Sequence, residues 1–165
     1  MADIEWRRSE RFLRAFGREF AVTCQVRNEL NGLRVASNIF RTTTERGEPG
    51  VPSQPRPFPL GTWRVYRPIH IAEGTNRYLE PYYIPTNAHQ LLEEWVVVNG
   101  AYMGKSGRQV DDFAYGLHFS QDTHTQGCIK FDSREDLLVF VDALNAALNQ
   151  IADPNARYLL MEVMS

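Results

Sequence analysis

Cysteine is scarce in this chain: Cys24 and Cys128 are the only two in 165 residues, and they lie far apart. A disulfide-scaffolded secreted fold and a cysteine-based zinc site both need more thiols than that. Each cysteine is therefore read as an individual thiol. Long apolar runs are missing too. The longest, such as Trp95-Val96-Val97-Val98, suit buried strands and fall far short of the roughly 18 residues a membrane-spanning helix needs. Charge of one sign is also lacking, with 18 Lys plus Arg against 20 Asp plus Glu and no basic block longer than Arg7-Arg8. The basic footprint that phosphate-backbone binding requires is absent, so no nucleic-acid partner is expected. The residues after Met1 lead into no apolar signal-peptide core, so the expectation is synthesis in the cytoplasm without a signal peptide. No internal period or low-complexity tract appears.

What is present is material for one folded domain: 43% hydrophobic and 12% aromatic side chains, in a chain long enough to bury roughly 70% of its unfolded surface. Intrinsic disorder is excluded for most of it. Phe20, Val22, Cys24 and Val26 alternate with polar residues, the period of a half-buried strand, and place Cys24 in core packing. Asn31-Gly32 supplies a tight hairpin turn, and Leu33 to Phe40 is the returning strand. Residues 42 to 60 hold five prolines, which forbid a helix interior or a central strand and predict a long loop within the domain. Further strands are expected at Gly61 to Tyr66, at Tyr78 to Ile84 with Pro81 demoting it to an edge or bulged strand, and at Trp95 to Val98 entering an Asn99-Gly100 turn. Thr86 to Glu94 reads as a short helix or a loop.

One segment has a helical period. Leu137, Phe140, Val141, Leu144, Leu148 and Ile151 fall on one face, Ser133 with Asp136 three residues on makes a capping signal, and Pro154 marks the end. A closing strand, Arg157 to Met164, follows. Many strands and one good helix predict a mostly β or α+β domain in which the main amphipathic helix packs on a curved sheet.

The chemistry is concentrated between Tyr115 and Phe131, a short strand, a polar loop and a second short strand. His118 and His124, two of the four histidines, lie within ten residues of Cys128. A thiol is a useful nucleophile as thiolate, and a nearby imidazole can take its proton and return it to a leaving amine. Gly127 lets the main chain approach closely just before the thiol, as an oxyanion site built from the N–H groups of Gly127 and Cys128 requires. That pattern points to acyl transfer. Two other readings stand beside it: Cys128 as inert packing, and His118, Asp122, His124 and Cys128 as zinc ligands, although the spacing lacks the paired form of the usual zinc motifs.

The run Thr125-Gln126-Gly127-Cys128-Ile129-Lys130, preceded by His118 on a strand, resembles the active-site signature of the L,D-transpeptidase (YkuD-type) superfamily. There a histidine is followed by a loop and then by Ser or Thr, His, Gly, Cys, an aliphatic residue and usually Arg or Asn. Phe58-Pro59-Leu60-Gly61-Thr62-Trp63-Arg64-Val65 resembles the family's Pro-x-Gly-x-aromatic strand. The order histidine before cysteine separates it from papain-like and NlpC-type peptidases. Gln126 stands where the family usually has histidine, and the interval from His118 to Cys128 is shorter than in the common enzymes. Both features are more like the compact L,D-transpeptidase-related toxins of type VI secretion systems and some phage relatives.

The resemblance implies that residues 1–165 form one L,D-transpeptidase-like catalytic domain, a curved β-sheet in sandwich or partial-barrel form with the main helix after the cysteine, and with a Pro-rich loop at 42–60. It makes Cys128 the nucleophile that attacks a peptidoglycan stem peptide and expels its terminal D-alanine, with no cofactor and no metal. His118 is the expected base and His124 the alternative. Thr125 would orient the imidazole or line the oxyanion site. Arg64, Lys130 and Gln126 are the candidates for substrate binding, Arg64 or Lys130 through a substrate carboxylate. His70 and His89 have no constellation around them and read as surface residues. Water resolving the acyl-enzyme would give an L,D-carboxypeptidase, and an amine would give a crosslink or an exchanged D-amino acid. The toxin subgroup further implies action in the periplasm of a target bacterium after secretion, with secretion machinery and a cognate immunity protein as partners. The competing class is a catalytically inactive peptidoglycan-binding or phage structural module of the same fold.

Overall fold

The computed structural model describes residues 2–24, 40–41, 58–98, 101–113, 115–120 and 128–165. The expected turns at Asn31-Gly32 and Asn99-Gly100 and the Pro-rich residues 42–57 lie outside these. The chain begins with a three-stranded antiparallel meander, β1 (Ile4–Arg7), β2 (Phe12–Ala15) and β3 (Arg18–Thr23). The link between β2 and β3 is the two-residue turn Phe16-Gly17, with φ of 54° and 72°. Positive φ at both central residues matches the twist of a hairpin. Phe16 holds it without being glycine while its ring packs edge-on against Phe140, centroids 5.3 Å apart.

The remaining strands are β4 (Phe40–Arg41), β5 (Gly61–Val65), β6 (Ile69–His70), β7 (Tyr82–Pro85), β8 (Gln90–Val98), β9 (Ala101–Asp112), β10 (Gly116–Phe119), β11 (Ile129–Phe131) and β12 (Leu159–Met164). Nine of the strands form one sheet in the order β5-β12-β1-β2-β3-β11-β10-β7-β6, and β4-β8-β9 form a second. The large sheet curls into a half-barrel: Val65 at the end of β5 bridges Thr86 just beyond β7, and the Tyr66 N–H donates to the Pro85 carbonyl at 2.9 Å.

Side-chain alternation gives that sheet one apolar face. The register sets Met161, Ile4 and Ala15 side by side, then Val163, Trp6, Leu13 and Phe20, then Val22 beside Phe131 and Ile129 beside Leu117 and Ile84. Helix α1 (Arg134–Asn149) covers it with Leu137, Phe140, Val141, Leu144 and Leu148, all buried. Burying each such side chain stabilises the fold by about 1.5–3 kcal/mol before entropy is counted. Phe140 meets both Phe20 and Phe131 at centroid distances of 5.3 and 5.0 Å. Ser133 caps the helix, its Oγ accepting from the Asp136 N–H at 3.2 Å.

Three expectations need correction. The strand read from Tyr78 is only Tyr82–Pro85, because residues 73–80 form turns tied by the Glu80 carboxylate, which accepts from the Gly74 and Asn76 N–H groups at 2.9 and 2.8 Å. It is not an edge strand: β10 pairs on one side and β6, the true edge, on the other. From Gln90 onward the segment expected as helix or loop belongs to β8, paired along its length with β9. The strand read from Phe20 begins earlier, at Arg18, and its described part ends at Thr23, Val26 lying outside the described residues; Cys24 is partly buried against the core and its Sγ accepts from the Phe58 N–H at 3.4 Å.

Candidate active site

His118 and Cys128, distant by ten residues of chain, are brought together by a parallel strand pair. Strand β10 places His118 directly beside Lys130 of β11, and Cys128 immediately precedes β11. The same register aligns Leu117 with Ile129 and Phe119 with Phe131, so the apolar side chains of both strands anchor in the core. His118 and Lys130 thereby point to the opposite face, where Tyr83 of β7 and Thr23 of β3 continue the row. Alternation along short strands, set by the hydrophobic residues, aims the polar ones at the site.

His118 is 7% exposed. Its Nδ1–H donates to the Phe119 carbonyl at 3.2 Å, which leaves Nε2 as the proton acceptor of the neutral ring. Burial pushes the imidazole pKa down, but a hydrogen bond with the Cys128 side chain and the charge of the Cys128 sulfur push it up further, helped by the Phe119 carbonyl and opposed by the Lys130 charge. The balance lies above the ordinary value of 6.5. The Cys128 side chain thus lies beside the buried ring, and its sulfur favours the protonated form.

The surroundings hold the pair in place. Gly116 shares the strand face of His118, and a Cβ there would come within 2.5 Å of the Tyr83 ring and 2.6 Å of the Ile84 carbonyl oxygen, so only glycine fits. Lys130 is buried, its ammonium donating to the Ser120 carbonyl at 3.2 Å and reaching Asp132 at 3.5 Å. Asp132 also accepts from the Thr23 hydroxyl at 2.7 Å. Beside Phe119 and Ser120 opens a cleft of about 630 Å³, lined also by His70, Arg77, Tyr78 and Arg134.

The other sequence candidates fall elsewhere. Arg64 lies on the exposed side of β5 with its guanidinium 4.5 Å from the centre of the Tyr158 ring. His70, exposed on β6, stacks edge-on against Tyr82, and the exposed His89 pairs with Asp111 at 2.9 Å. Asp122, His124, Thr125, Gln126 and Gly127 lie outside the described residues. Among the described residues no group of three or more His, Cys, Asp or Glu side chains is placed to hold a metal ion, and no helix is long and apolar enough to cross a membrane. Sequence reasoning missed Gly116, Tyr83, Asp132 and Thr23. A glycine two positions before a strand histidine was the available signal for the first; the others depend on register between distant segments. No family model, curated protein or solved structure matches this chain.

Proposed function

We propose that the protein is a cysteine-dependent acyl-transfer enzyme of L,D-transpeptidase type acting on peptidoglycan stem peptides. The observation that carries the reading is the buried His118 of β10 with the Cys128 side chain beside its ring, just before the parallel strand β11. In the proposed reaction His118 takes the thiol proton and the sulfur attacks the carbonyl at the L-centre of the diacid residue. Collapse of the tetrahedral intermediate breaks the peptide bond, and the imidazolium returns its proton to the leaving amine of D-alanine. The thioester is resolved by water, giving a carboxylic acid, or by an amine, giving a crosslink or an exchanged D-amino acid. The curled mostly β sheet with one helix agrees in class with an L,D-transpeptidase-like domain.

The biological setting proposed with it is that of a secreted antibacterial effector acting in a target periplasm and neutralised by an immunity protein. Mass spectrometry of tetrapeptide muropeptides incubated with wild-type protein and with Cys128→Ala tests the chemistry. Loss of D-alanine, exchange or crosslinking in the wild type alone is the expected result. An unchanged profile with folded, reduced wild-type protein would instead favour an inactive wall-binding or phage structural module.

A further inference from the structure

Among the described residues the buried polar or charged side chains are His118, Ser120 and Lys130, and all three lie on β10, on β11 or just past β10. A buried ammonium is tolerated only when it is bonded. Lys130 meets that demand with the carbonyl of Ser120, just past β10, and with Asp132, just past β11. Asp132 is held in turn by the Thr23 hydroxyl on β3. The ladder between β10 and β11 is short, Leu117 to Phe119 against Ile129 to Phe131, and parallel pairing is slightly less stable per residue than antiparallel. Something beyond the ladder must fix the register of the two strands, with His118 inside β10 and Cys128 just before β11.

We propose that Lys130 is a positioning residue, a buried strap whose ammonium ties the Ser120 carbonyl to Asp132 and so holds His118 and Cys128 at working distance. This differs from a carboxylate receptor, because the ammonium is turned inward, its side chain 8% exposed. The inference rests on the reading of Cys128 as an activated nucleophile.

The test is the rate of iodoacetamide alkylation at Cys128 relative to Cys24 in the native full-length chain, read by peptide mass spectrometry. In the wild type Cys128 should react much faster than Cys24. Lys130→Met, which keeps the bulk and removes the charge, should lower the Cys128 rate by about tenfold or more, in the range of lost positioning contacts at active sites, with Cys24 unchanged. Lys130→Arg should restore most of it. A fast Cys128 in Lys130→Met, or no rescue by arginine, would overturn the strap and leave the enzyme reading standing. A wild-type Cys128 as slow as Cys24 would overturn the enzyme reading and the strap with it. Should Lys130→Met fail to fold, Asp132→Asn at a side chain 39% exposed carries the test: a lowered ratio supports the strap, and an unchanged ratio overturns it.

Discussion

At His118 two opposing effects meet: burial disfavours the charged ring, and the neighbouring sulfur favours it. The sulfur prevails, which leads to a sign-specific prediction. Proton NMR of the His118 ring should show a titration midpoint above 6.5, the ordinary value. In Cys128→Ala the hydrogen bond and the charge are gone while burial and Lys130 remain, so the midpoint should drop below 6.5. A mutant midpoint still above it would place the source of the shift elsewhere. Because the folded-state value is raised, the stabilisation it represents is complete below the unfolded value, about 6.5, and fades as pH rises through the folded one. The pair itself was legible in the sequence, because histidine, glycine and cysteine carry their chemistry in their identity. The burial of Lys130 was not, since nothing in its neighbours Ile129 and Phe131 says that the intervening side chain also turns away from solvent.

Elements built from local signals were readable and those built from distant ones were not. Helix α1 announced itself through a 3.6-residue period and the Ser133 cap, both interactions within a turn or two. Strands β1 and β2 carried alternation at Ile4 and Trp6 and at Leu13 and Ala15, but in segments too short and too charged to stand out. The turn from β2 into β3 uses Phe16, which no turn rule favours, because its ring finds Phe140 on a helix far along the chain. The pairing of β10 with β7 depends on one absent side chain. Gly116→Ala should push Tyr83 off its place and cost about 1–3 kcal/mol, the usual penalty of overpacking, measured by urea unfolding. Wild-type stability in that variant would show that the Tyr83 ring and the Ile84 carbonyl yield freely.

For the molecule as a whole, closure of the half-barrel was the least legible feature, since it joins Arg64 and Val65 of β5 to Thr86 and Asn87 beyond β7 through main-chain contacts. Asn87 is the stitch: its side-chain oxygen accepts from the Arg64 N–H at 2.6 Å and its own N–H donates to the Arg64 carbonyl at 3.2 Å. Asn87→Ala should lower the unfolding free energy by about 0.5–1.5 kcal/mol, the net worth of one such bond, and leave the Cys128 alkylation rate unchanged; equal unfolding midpoints would show that the curl needs no stitch. The order of strands across the sheet bears on synthesis. Strand β12 lies between β5 and β1, parallel to β1 and antiparallel to β5, yet it is translated after both. While a ribosome works through the intervening chain, β1 and β5 each lack the strand that lies between them. Contacts of such long sequence separation make folding slow. The sheet therefore runs unbroken from β5 to β1 only once Leu159–Met164 has left the exit tunnel, and with it the His118–Cys128 pair gains its finished scaffold.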